Sequence, residues 1–160
     1  MPVLIDGNNL LHAARRAQTS SLLIGRSMLC QAIGRWAQRR SERVHIVFDG
    51  PAPPPGMAAQ VAHQAIQVSY SGVGVSADEA LMRLLETDSA ARRLIVVSSD
   101  RQIQRAAQRR RARPLDAETF WLRVQRDLAR PRPVRKEPRE KEAGLSPEAT
   151  DEWLKEFGLG

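Results

Sequence analysis

Four aspartates stand where a fold could bring them together. Asp6 and Asp49 each end an apolar run, VLID at Val3–Asp6 and VHIVFD at Val44–Asp49. Asp100 follows the run Leu94–Val97 after two serines, and Asp78 falls in the first turn of a helical stretch opening at Ser76. If the runs are parallel strands, all four acids lie at their carboxyl ends, the edge where α/β sheets bind ligands. Carboxylates crowded at one edge repel one another and raise one another's pKa values. A divalent cation relieves that conflict, and an all-oxygen donor set suits Mg²⁺ or Mn²⁺ rather than Zn²⁺. Such an ion activates water and stabilises charge on a phosphoryl group, so the reaction class is phosphodiester hydrolysis.

Each acid also has a structural alternative. Asp6 and Asp49 precede glycine and suit turns; Asp78 complements a helix dipole; Asp100 suits an N-cap. The coincidence of position across separate strands favours the joint reading. Around the acids, Asn8 and Asn9 can cap a helix or orient Asp6 or a metal-bound water, and Ser99, like Ser98, can hydrogen-bond a neighbouring carboxylate. Glu79 fits the capping box with Ser76.

The chain carries 25 lysines and arginines against 18 acids, a net charge of +7. That balance points to an anionic partner, and nucleic acid is the commonest. Arg101, Arg105 and Arg109 recur every fourth residue on one helix face. Starting beside Asp100, they could lead a phosphate chain into the acidic pocket; the alternative is a solvated face. The single Cys30 lies in a helical apolar stripe with Leu29, Ile33 and Trp36 and reads as a buried core thiol. No apolar run is long enough to span a bilayer, and MPVLIDGNN lacks the pattern of a signal peptide. A reducing cytoplasm is the expected location.

The elements that must position these residues alternate. Strands are expected at Val3–Asp6, Val44–Asp49, Ile66–Tyr70, Leu94–Val97 and Ala112–Leu115. Helices are expected at Leu10–Ala17, Gly25–Arg40, from Ser76, from Asp100 to about Arg110, and at Asp116–Ala129. A weaker one is expected at Met57–His63. Pro51–Gly56, PAPPPG, reads as irregular. Apolar strands alternating with helices imply a parallel, doubly wound α/β sheet. Residues 130–145 read as a charged, proline-rich linker. Residues 146–160 read as a helical tail, with Trp153, Leu154 and Phe157 on one face. That helix is expected to dock on the domain or to bind a protein partner.

LIDGNNLLHA (Leu4–Ala13), VFDG (Val47–Gly50), SADEALMRLLE (Ser76–Glu86) and VVSSDRQIQRAA (Val96–Ala107) occur in this order. Together they resemble the YacP-like NYN family, a branch of the PIN-like nuclease superfamily. The resemblance covers about residues 3–129. It implies a three-layer PIN-like fold, a five-stranded parallel sheet with a central first strand, and Mg²⁺- or Mn²⁺-dependent RNA cleavage. Residue by residue, the family's acidic positions fall on Asp6, Asp78 and Asp100 as metal ligands. Asp49 matches the acid after the second strand. The proline run after Asp49 departs from the family pattern.

Two other functions compete with an endoribonuclease acting on messenger or ribosome-associated RNA. A non-catalytic RNA-binding or ribosome-associated adaptor would keep the arginines and use the Trp153 helix as a contact. A dinucleotide-binding protein is suggested by Gly72-Val73-Gly74-Val75-Ser76-Ala77 between a strand and a helix. Asp78 and Glu79 oppose it, because they sit where a pyrophosphate would lie.

Overall fold

The computed structural model describes residues 1–18, 23–57 and 63–131. Along these the chain forms β1 (Val3–Asp6), α1 (Gly7–Arg16), α2 (Arg26–Arg40), β2 (Val44–Phe48) and β3 (Ile66–Tyr70). Then follow α3 (Ala77–Thr87), a 3-10 turn at Ala91–Arg93, β4 (Ile95–Val97), α4 (Arg101–Arg109), β5 (Arg113–Leu115) and α5 (Ala117–Ala129). The strands form one sheet in the order β3-β2-β1-β4-β5, and every neighbouring pair is parallel. β1 is the central strand and is buried along its whole length, as a strand covered on both faces must be.

Side chains alternate across the sheet, and this alternation sorts the core into two layers. Val3, Ile5, Val44, Ile46, Phe48, Ile95 and Val97 face one side, packed against α1, α2 and α5. Leu4, Val47 and Val96 face the other, packed against Leu81 and Leu85 of α3 and Ile103 and Ala107 of α4. In the first layer Trp36 meets Phe120 edge to face, with centroids 5.1 Å apart at 80°. The Trp36 indole N–H, fully buried, donates to Asp127 Oδ2 at 3.1 Å, as a buried donor must find an acceptor. Cys30 lies in this layer, and burial pushes its thiol up to about 12 against the opposing pull of Arg26. His45 is held below its ordinary value by burial, and its Nε2 meets Ser69 Oγ at 2.7 Å. Both are structural groups.

The expected strands and helices correspond to the observed ones, with two corrections. The first helix begins at Gly7 rather than Leu10, because Asp6 caps it directly. The proline run is not irregular throughout. Pro55 and Gly56 enter a helical turn with Met57, since proline's fixed φ suits a first helical position. Part of the expected Met57–His63 helix, nearly all of the linker and the whole helical tail lie outside the described residues. No helix among the described residues is long and apolar enough to cross a membrane.

Candidate active site

The alternation that builds the core also aims the acids. Asp6 follows Leu4 by two residues, Asp49 follows Val47 and Ser98 follows Val96, so all three turn toward the layer formed by α3 and α4. The first turn of α3 carries Asp78, and Asp100 is the N-cap of α4. Both helices begin at the carboxyl edge of the parallel sheet. Asp6, Asp49, Asp78 and Asp100 are thereby brought to one place from four chain segments.

Asp6 is the most constrained. It is 2% exposed. Its Oδ1 accepts the Asn9 backbone N–H at 3.0 Å, capping α1. Its Oδ2 accepts from Asn9 Nδ2 at 2.5 Å and from Ser98 Oγ at 3.2 Å. The close approach of Gly7 to β2 makes this placement possible. A Cβ on Gly7 would lie 2.5 Å from two Phe48 ring carbons and 2.9 Å from Ile46 Cγ2. Glycine is required there because nothing larger fits between α1 and β2.

Asp49 links three segments. Its Oδ2 accepts from Asn8 Nδ2 at 2.8 Å, and its Oδ1 accepts the Ala77 N–H at the start of α3 at 2.5 Å. The loop around it is fixed by Gly50, at φ +91°, whose N–H donates to Ser71 Oγ at 3.1 Å. Asp100 caps α4, its Oδ1 accepting from the N–H groups of Gln102 at 2.6 Å and Ile103 at 3.3 Å. Its Oδ2 accepts no hydrogen bond among the described residues.

Asp78 differs from the other three. Its carboxylate accepts no hydrogen bond and forms no ion pair among the described residues. Burial raises its pKa, and Asp6, Asp100 and Asp49 raise it further by repulsion. None of the ion pairs among the described residues involves any of the four acids. Among the described residues the four carboxylates are thus not neutralised by direct ion pairs.

The remaining sequence-derived candidates sort clearly. Asn9 holds Asp6. Ser99 donates to Asp116 Oδ1 at 2.8 Å, and Asp116 caps α5; Ser98, fully buried, is the serine that reaches Asp6. Glu79 is exposed, and its N–H donates to Ser76 Oγ at 3.2 Å in the cap of α3. Arg101, Arg105 and Arg109 are all exposed along α4. α4 runs away from the pocket, so Arg101 lies beside it and Arg109 at the opposite edge of the sheet.

Asn8, expected with Asn9 to cap the helix or to orient Asp6, holds Asp49 instead. One group at the pocket was not singled out from sequence. Arg26 lies with its guanidinium 5.0 Å from the centroid of the Phe48 ring, and its Nη2 is 3.4 Å from the Asp49 carbonyl oxygen. It stands at the first position of α2, where a cation opposes the helix dipole. That mismatch was the available signal.

Among the described residues, no three His, Cys, Asp or Glu side chains stand close enough to hold a metal ion as they are placed. The donor chemistry nonetheless fits a hard divalent cation. The Asp78 carboxylate, the Asp100 Oδ2 and the buried Asp6 carboxylate are hard oxygen donors. They form an acidic pocket rather than a closed cage.

Comparison with known proteins agrees with this architecture. The family model of the YacP-like NYN domain matches residues 3–157, past the last of the four motifs. No curated protein gives a significant match. The crystal structure of Rae1 (YacP) from Bacillus subtilis is similar with a TM-score of 0.63 and 24% identity, covering 99% of this chain and 92% of that one. The crystal structure of its W164L mutant gives 0.61 and 21%, covering 80% and 76%. At these identities the two structures speak for the fold, whereas the family match spans nearly the whole sequence. The chain belongs to the YacP-like NYN domain family, within the PIN-like nucleases.

Proposed function

We propose that this protein is a metal-dependent ribonuclease that cuts RNA internally. The observation that carries the reading is Asp78. It is a carboxylate with no hydrogen-bond or ion-pair partner among the described residues, repelled by three others. Stability alone gives no reason to keep it charged there; a bound cation does. Asp6, Asp78 and Asp100 would hold Mg²⁺ or Mn²⁺. When bound, such an ion supplies an activated water and neutralises charge building on the phosphoryl group.

The rest of the work falls to the chain itself. Asn9 and Ser98 fix both oxygens of Asp6, so its orientation does not depend on the substrate. Asn8 and Asp49 tie the start of α3 to the start of α1 and hold Asp78 at the pocket. Arg101 and Arg105 would bind phosphates flanking the scissile bond, and Arg26 lies on the opposite side of the pocket to receive another. No described residue at the pocket forms a stop for an RNA end, and internal cleavage is the reading adopted.

The test is cleavage of a labelled RNA with and without Mn²⁺, comparing wild type with Asp6→Asn and Asp78→Asn. Cleavage is expected only with the metal. Each substitution should slow it by about a hundredfold or more, the several kcal/mol an ion contributes at a phosphoryl group. Equal activity in all samples would remove the pocket from the reaction. That no three of the described acids stand close enough to hold a metal as placed favours a second reading, an RNA-binding module without cleavage. It predicts RNA binding that is insensitive to Mn²⁺ and to Asp78→Asn.

A further inference from the structure

A second charged feature lies at the other edge of the sheet. The turn Ala91–Arg93 leads into β4, and the end of α4 leads into β5. Since β4 and β5 are parallel neighbours paired at Ile95 and Arg113, both segments sit at the amino-terminal edge, opposite the acids. Between them opens a cleft of about 620 Å³ lined by Arg92, Arg93, Arg109, Arg110 and Arg111. No carboxylate among the described residues lines it. The nearest acid in sequence, Asp88, has its Oδ1 engaged by the Ala90 N–H at 2.7 Å.

Among the described residues, partners hold only one of the five arginines. Arg110 donates from Nε to the Leu85 carbonyl at 3.3 Å and from Nη2 to the Asp88 carbonyl at 3.0 Å. The side chains of Arg92, Arg93, Arg109 and Arg111 have no hydrogen-bond or ion-pair partner among the described residues. One cation at the end of α4 is explained by the helix dipole. Several guanidinium groups around one cleft are not, because they repel one another. Their planar forks match the oxygens of phosphate.

We propose that this cleft is a second anion site and that it takes the sugar–phosphate backbone of the RNA. The identity of the polyanion rests on the ribonuclease reading; the anion site itself does not. α4 connects the two sites. It has 9 residues, about 13 Å at 1.5 Å per residue, and exposes Arg101 and Arg105 between Asp100 and the cleft. At about 3.4 Å per stacked nucleotide, a strand needs about four nucleotides beyond the acidic pocket to reach it. The cleft therefore acts on long RNA and not on short fragments, and it makes length a determinant of affinity.

The experiment is fluorescence anisotropy of the full chain with labelled RNAs of 4 and 20 nucleotides, in EDTA so that no cleavage occurs, from 50 to 200 mM salt. Wild type is compared with the Arg92→Gln/Arg93→Gln double variant and with Arg92→Lys/Arg93→Lys; thermal melting shows that all are folded. The glutamine variant is expected to weaken the long RNA by about tenfold or more at 50 mM salt and to lower its salt slope by about 1.4, two contacts at 0.7 each. The short RNA should lose far less, and the lysine variant should keep most of the slope. An unchanged slope for the long RNA, or equal losses for both lengths, would overturn the proposal. So would inorganic phosphate at low millimolar concentration displacing the long RNA completely, which would mark a small-anion site. If wild type binds long RNA through these arginines yet never cleaves it with Mn²⁺, the ribonuclease reading fails and the anion site stands.

Discussion

Replacing Gly7 with alanine tests whether the acidic pocket is built from the packing beneath it. The added Cβ would meet the Phe48 ring at 2.5 Å and Ile46 Cγ2 at 2.9 Å, both well inside van der Waals contact. Phe48 has little room to yield. It is fully buried, its ring lies 6.0 Å from that of Tyr70 at 30°, and the Arg26 guanidinium lies against it. The strain must instead lift the first turn of α1, and Asp6 moves with it. Overpacking of this kind costs about 1–3 kcal/mol, offset by at most about 1 kcal/mol from removing a helical glycine. A net loss of about 1–2 kcal/mol should lower the melting temperature by about 2–10 °C. Urea denaturation measures the free energy, and Mn²⁺-dependent RNA cleavage measures the displacement of Asp6. Cleavage should fall more than the small loss of folded protein explains. Phe48→Leu in the same chain should restore part of both, giving a coupling energy between the two positions. A Gly7→Ala protein with unchanged stability and full cleavage would refute the reasoning.

Two further outcomes follow from titratable groups. Asp78→Asn removes a charge that three neighbours oppose, so the metal-free protein should melt at a higher temperature while cleavage is lost. Its folded pKa is raised, so the stability linked to this group is full below the unfolded pKa and is lost as pH rises through the folded one; the advantage of Asp78→Asn should vanish at low pH in a pH series of melting curves. Asp127 behaves in the opposite way. Burial alone would raise its pKa, but the Trp36 N–H and the nearby Arg40, Arg126 and Arg123 outweigh it and hold it below the usual carboxylate range. Its stabilisation is present above the unfolded pKa and is lost as pH falls through the folded one. Asp127→Ala should cost about 2–3 kcal/mol at neutral pH by leaving a buried indole N–H unpaired, measurable by urea denaturation, and Asp127→Asn should cost less.

Much of this architecture is readable in one dimension because its determinants are local. Apolar runs of strand length, helical periodicity and the order of the elements specify a parallel sheet, and the sheet then specifies one edge for Asp6, Asp49, Asp78 and Asp100. Finer assignments depend on parity and packing. Ser98 and Ser99 look equivalent in sequence, yet the pleat turns Ser98 toward Asp6 and leaves Ser99 to Asp116. Asn8 and Asn9 both lie in the first turn of α1, and reading that helix from Leu10 hides the fact that each amide points to a different acid. Arg26 depends on a contact with Phe48, far along the chain. Arg109 shares a helical face with Arg101, but only the direction of α4 shows that the two stand at opposite edges of the sheet.

The four acids also differ in what would happen to them over generations. Asp6 and Asp100 cap helices, and Asp49 fastens α3 to α1, so each is retained by the fold whether or not the protein cuts RNA. Among the described residues Asp78 caps nothing and fastens nothing. In a lineage released from cleavage it would be the first of the four to drift, and its loss would make the fold sturdier. The residue at that one position would therefore distinguish a working descendant from a retired one that kept its shape.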